Sequence, residues 1–112
     1  MSALQRRALL VELIKLRRPV TVIREELSRY EWDSPEVVRM RAADIVEVLD
    51  RFLEGDLSAE DIETWADAIE CRDDVDYDEV KDVVWELANP AITHSFGREE
   101  ALVLRKRLGD RT

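Results

Sequence analysis

Residues 35–71 read PEVVRMRAADIVEVLDRFLEGDLSAEDIETWADAIEC, and the spacing of their apolar side chains decides the fold. Val38, Ala42, Ile45, Leu49, Phe52 and Leu53 fall on one face at helical intervals, with Asp44, Glu47, Asp50, Arg51 and Glu54 opposite. Ser34 before Pro35 supplies an N-cap and then the one helical position where proline's missing N–H costs nothing. The pattern therefore predicts a helix over about 35–54. Gly55 stops it, as a C-terminal residue in the left-handed conformation does. Ser58 with Asp61 three residues on is a capping-box variant that opens another amphipathic helix over about 59–71, with Ile62, Trp65, Ala66 and Ile69 turned inward.

The same signals recur on both sides. Residues 3–17 carry Leu4, Leu9, Leu10, Val11, Leu13, Ile14 and Leu16 almost all round, which suits a helix packed on more than one side. Pro19 punctuates the chain, and Val20, Ile23, Leu27 and Tyr30 then mark a second, short helix. Asp76 with Glu79 repeats the capping device for a helix over about 77–88, which Asn89 and Pro90 end. A last helix over about 98–108 has Glu99 and Glu100 at its positive end, Lys106 and Arg107 at its negative end and Gly109 behind it. No strand-like alternation competes. The expectation is an all-α fold: residues 1–112 as a single compact helical bundle of about five to six helices with short connections.

Charge is distributed unevenly along this frame. Residues 1–29 carry +4, residues 30–86 carry −15 and residues 87–112 carry +2, which together give the net charge of −9. A pI near 4.6 opposes nucleic-acid binding, which needs clustered Lys and Arg on phosphates. Arg6, Arg7, Lys15, Arg17 and Arg18 do not collect on one helix face, so the first helix does not read as a membrane-surface element, and no segment approaches the ~20 apolar residues of a membrane span. Glu12 and Lys15 interrupt the apolar run that a signal peptide would need. The basic ends are expected to pair with the acidic middle, within the bundle or in a homodimer. Cys71 is the sole cysteine, which excludes an internal disulfide and a multi-thiolate zinc site and suits a reducing, cytoplasmic setting.

Motifs that carry chemistry are sparse. Asp74, Asp76 and Asp78 spell the opening of an EF-hand loop, with Asp73, Glu79 and Asp82 nearby. Glu79 stands where that loop needs glycine, however, and Trp85 where it needs a bidentate glutamate, so the segment reads as a capping linker and no metal is expected. His94 and Cys71 are the lone base and thiol, and no phosphate loop, nucleophile elbow or zinc-protease helix occurs. No catalytic residue and no cofactor is expected, because the convergent groups of a site are missing.

Two features remain. Glu60, Glu63, Asp67 and Glu70 form one stripe on the helix over 59–71, with no intervening Lys or Arg. Such neighbours repel by a few tenths of a kcal/mol per pair, a cost that mixed signs would avoid. The stripe is either an ordinary solvated face or a docking face. On the next helix Val80, Val83, Val84 and Leu87 face inward, whereas Trp85 points away, toward Asp78, Lys81 and Asp82. It is either covered by the N-terminal helix or the loop after Pro90, or it is the anchor of an interface for a basic partner.

The stretch Phe52–Ala66, FLEGDLSAEDIETWA, resembles a segment of colicin-D-like immunity proteins, short acidic all-helical bacterial proteins that bind and block a basic nuclease toxin. The resemblance covers about fifteen residues and implies an inhibitor whose acidic helices plug a cationic active site. The expectation for function is thus a non-enzymatic binding protein that presents Glu60, Glu63, Asp67, Glu70, Asp78, Asp82 and Trp85 to a basic protein partner, a toxin domain if the resemblance holds. The alternative is a structural or oligomerising helical module.

Overall fold

Six α-helices occupy most of residues 2–30, 38–72, 74–89 and 97–111, the parts of the chain that the computed structural model describes. They are α1 (Ser2–Lys15), α2 (Val20–Leu27), α3 (Ala42–Leu53), α4 (Ala59–Glu70), α5 (Lys81–Ala88) and α6 (Arg98–Gly109). The fold is all-α, and α1 lies against α2, α3 and α4, which explains why its sequence is apolar on several sides. The most extensive further pairings are α4 with α5 and α3 with α6, and α4 also touches α2 and α3. Ile23, Ile45, Leu49, Ile62, Ile69, Val83, Val84 and Leu108 are all buried between these helices.

The start and stop signals operate through specific hydrogen bonds. In α3, α4 and α6 the third helical residue is acidic, and its carboxylate accepts the amide N–H of the N-cap residue. The pairs are Arg41 to Asp44 at 2.9 Å, Ser58 to Asp61 at 2.9 Å and Gly97 to Glu100 at 3.0 Å. Only at Ser58 is the box reciprocal, with the hydroxyl accepting the N–H of Asp61 at 3.1 Å. Gly55 ends α3 at φ +91°, where a β-carbon would be strained.

The end of α1 uses the same turn without glycine. Leu16 adopts φ +49°; its N–H donates to the Leu13 carbonyl, and that of Arg17 to the Glu12 carbonyl. This is the double hydrogen bond of a Schellman turn. A left-handed leucine costs about 1 kcal/mol or more. It is held because its side chain is only 4% exposed and because Arg51 Nη1, from α3, donates to the carbonyls of Leu16 at 2.7 Å and Lys15 at 3.2 Å. Arg51, expected on the polar side of its helix, thus caps another one. Trp65 adds a second tie, being fully buried on α4 with Nε1 donating to the Leu13 carbonyl at 2.7 Å.

Three expectations about the elements are corrected. The third helix begins at Ala42, not near residue 35, and Val38 belongs to a two-residue strand. This β1 (Val38–Arg39) pairs in parallel with β2 (Val75–Asp76), Val38 opposite Val75 and Arg39 opposite Asp76. A parallel pair needs a long crossover, which α3 and α4 provide. Ser34 and Pro35 lie outside the described residues. The fifth helix begins at Lys81 after a 3₁₀ turn over Asp78–Val80. Asp76 does not form a box with Glu79; its Oδ1 accepts the N–H of Asp78 at 3.2 Å, stopping the strand with a tight side-chain turn.

Candidate functional site: an acidic helix face and an adjoining tryptophan

Six basic residues of the two ends, Arg6, Lys15, Arg18, Arg105, Arg107 and Arg111, pair with acids within the chain. Lys15 reaches Asp44 at 3.2 Å and Glu47 at 3.7 Å, and Arg105 pairs with Asp50. Arg111 grips Asp82 with two nitrogens, at 2.9 and 2.7 Å, while Arg107 lies 3.6 Å from Asp82 and 2.6 Å from Glu86. The hydrogen bonds and charge of Arg111 hold the Asp82 carboxyl down to about 2. Arg18 is shared by Glu12 and Glu26 and holds the Glu26 carboxyl below its usual range. The deepest of these contacts joins Arg6, Asp74 and Arg72. Arg6 and Asp74 are each about 6% exposed, and Arg72 places Nε and Nη2 at 2.7 and 2.9 Å from the two Asp74 oxygens.

These pairs separate structural charge from available charge. Asp44, Asp50, Asp74, Asp82 and Glu86 are all engaged. Among the described residues, Glu60, Glu63, Asp67 and Glu70 have no ion-pair partner. The first three are exposed and Glu70 is partly buried, so the stripe faces solvent along the outer side of α4, while Ile62, Trp65, Ala66 and Ile69 are buried on the inner side. With a rise of about 1.5 Å per residue, the acids extend for about 15 Å.

Trp85 is 44% exposed and continues this surface rather than being covered. The apolar side of α5, Val83, Val84 and Leu87, is buried, which leaves the indole on the outer side. Glu70, at the end of α4, and Lys81, Asp82, Trp85 and Glu86, on α5, line one shallow depression of about 460 Å³. The structure therefore brings together Glu70, Asp82 and Trp85, which the sequence places on two separate helices. Asp78 is exposed in the 3₁₀ turn before α5 and does not line the depression. The neutralisation of Asp82 escapes the sequence reading, although a signal for it exists. Arg107 and Arg111 are four residues apart on or just beyond α6, as Asp82 and Glu86 are on α5, so each pair shares a helix face.

The other chemical candidates do not converge. The carboxylate of Asp74 is turned into the Arg6 and Arg72 contacts, and that of Asp76 toward the Asp78 N–H and Arg39. Among the described residues no cluster of three or more His, Cys, Asp or Glu is placed to hold a metal. Cys71 is exposed at the end of α4, and His94, like Asp73 and Trp32, lies outside the described residues. A second depression, of about 440 Å³, lies where the turn between α1 and α2 meets the start of α4, with Arg17, Pro19, Leu57 and Glu60 among its walls. No helix among the described residues is long and apolar enough to cross a membrane. No known protein family, no curated protein and no solved structure matches this chain.

Proposed function

We propose that this chain is a non-enzymatic, cytoplasmic binding protein that docks the acidic face of α4, with Trp85 beside it, onto a basic protein partner. The observation that carries the reading is that Glu60, Glu63, Asp67 and Glu70 lie in one row along α4 with no ion-pair partner among the described residues; Glu54, Asp56, Asp61, Asp78 and Glu79 are also outside the ion pairs, but they sit at helix ends and turns and form no such row. An uninterrupted row of like charge costs stability in the free protein and is relieved when a partner supplies cations. Its field also accelerates encounter with a positively charged surface. The half-exposed indole beside the row supplies the large, rigid contact that charged rims lack. The resemblance of Phe52–Ala66 to immunity proteins points to a nuclease-type toxin domain as the partner, blocked by occupation of its cationic active site.

The homodimer alternative needs basic ends free to reach a second copy. Lys15, Arg105, Arg107 and Arg111 instead close their pairs within one chain, which among the described residues leaves cations such as Arg17, Arg24, Arg29 and Lys106 exposed and outside the ion pairs, and favours the binding-protein reading. Sedimentation of the purified full chain over a concentration series separates the two, with a monomer expected at tens of micromolar, because exposed pairs of this kind are too weak to hold a dimer. Co-purification with the tagged chain from its native cells identifies the partner, whose association rate is then measured against salt. A basic protein whose association slows steeply as salt rises supports the reading, and a rate indifferent to salt refutes it.

A further inference from the structure

We propose that the depression beside Trp85 is the seat of one arginine side chain of the partner, an inference that rests on the docking reading above and names its central contact. The walls are Glu70 from the end of α4 and Lys81, Asp82, Trp85 and Glu86 from α5, three carboxylates and one ammonium around a half-exposed indole. Asp82 and Glu86 are already held by Arg111 and Arg107, so they shape the wall without offering their full charge. Glu70 lacks an ion-pair partner among the described residues and contributes the open carboxylate. An aromatic face next to such a carboxylate recognises a cation by two independent means, attraction to the ring and a charge-assisted hydrogen bond.

The chemistry selects guanidinium over ammonium. A guanidinium is planar and weakly hydrated, so it stacks flat on an indole while its edge still donates to a carboxylate. A lysine ammonium is compact, keeps its water and presents no plane to the ring. The depression is shallow and its mouth open, so one extended side chain fits where a buried cofactor does not. Glu70 is the last acid of the stripe, which places this anchor at one border of the α4 face; Asp67 and Glu63 lie farther back along the helix and do not wall the depression.

The test requires no partner. The isotope-labelled full chain is titrated at low salt with N-acetyl-arginine amide, and the indole N–H resonance of Trp85 is followed by NMR, assigned through its loss in Trp85→Phe. A saturating shift is expected at that indole, with affinity about three- to fivefold weaker in Glu70→Gln and at least about threefold weaker for N-acetyl-lysine amide. No saturating shift, an affinity unchanged in Glu70→Gln, or equal binding of the lysine derivative overturns the arginine seat. Its failure is distinct from failure of the docking reading. If the titration fails while charge reversal on α4 still slows association with the partner, docking stands without this anchor. If the titration succeeds and charge reversal has no effect, the seat stands and the docking reading falls.

Discussion

Replacing Asp74 by Asn and Asp82 by Asn makes the same chemical change at two carboxylates, each gripped by the paired nitrogens of one arginine and approached by a second. The two differ in burial. The side chains of Arg6 and Asp74 are each about 7% exposed, whereas Asp82 is 53% exposed and Arg111 28%. Asp74→Asn removes the buried negative charge that Arg6 and Arg72 share, and breaking a buried charge contact of this kind costs about 3–5 kcal/mol. Asp82→Asn breaks a pair whose members return to water, at a cost of about 0–1 kcal/mol. For a urea slope of about 1–3 kcal/mol/M, taken near its middle, Asp74→Asn lowers the unfolding midpoint by about 1.5 M or more and Asp82→Asn by less than about 0.7 M. Urea titration followed by far-UV circular dichroism measures both. Replacing Arg6 and Asp74 together, as Arg6→Met with Asp74→Leu, recovers part of the loss, because the buried guanidinium leaves along with its carboxylate. A midpoint shift for Asp74→Asn no larger than that for Asp82→Asn would mean that burial does not set the weight of these contacts.

Leu16→Gly removes the left-handed strain, worth about 1 kcal/mol, but deletes a buried leucine side chain worth about 2–5 kcal/mol. The variant is expected to be destabilised by about 1–4 kcal/mol in the same urea assay, and one at least as stable as the parent contradicts the packing described for this turn. Trp65→Phe takes the indole donor from the Leu13 carbonyl and leaves a gap in the core; it is expected to cost about 2–4 kcal/mol, read as a lower melting temperature in calorimetry. Stability also falls on the acid side. Asp82 is lowered to about 2 by its hydrogen bonds and pairing with Arg111; at Asp74 burial works upward, but the Arg72 hydrogen bonds and the charges of Arg72 and Arg6 outweigh it and hold the carboxyl low. A depressed folded-state value means that the contribution is present above the unfolded carboxyl value of about 4 and is lost as pH falls through the folded one. Melting temperatures are therefore expected to hold from about pH 7 down to about pH 5 and to drop steeply from about pH 4 toward about pH 2, with less drop in Asp74→Asn.

The helices are legible wherever a capping acid or a terminal glycine accompanies the apolar spacing, as at Ser58 with Asp61, at Gly55, and at Glu100. The start of α3 is misplaced by the pattern because Val38 fits the helical spacing of Ala42 and Ile45 as well as it fits a strand. A strand of two residues has no period of its own to set against that. Its partner strand, Val75 and Asp76, lies beyond two intervening helices, so the pairing is a tertiary event that local pattern cannot carry. At the candidate site, the outward direction of Glu60, Glu63, Asp67 and Trp85 follows from helix geometry alone. Which acids are already engaged does not, because the contacts of Arg6 with Asp74 and of Arg111 with Asp82 span 68 and 29 positions of the chain. The left-handed Leu16 is equally invisible, since nothing in a leucine announces a turn.

If the α4 stripe, and not the net charge of the protein, steers a basic partner, the position of a charge change matters more than its size. Stopped-flow association with that partner at low salt, comparing Glu63→Lys with Asp67→Lys against the control Glu25→Lys with Asp110→Lys, separates position from size. Both double variants change the net charge equally, and all four residues are exposed, so folding stability is expected to stay nearly unchanged in each. The α4 variant is expected to associate at least about tenfold more slowly than the parent, while the control stays within about threefold. Equal rates for the two variants contradict steering by the stripe.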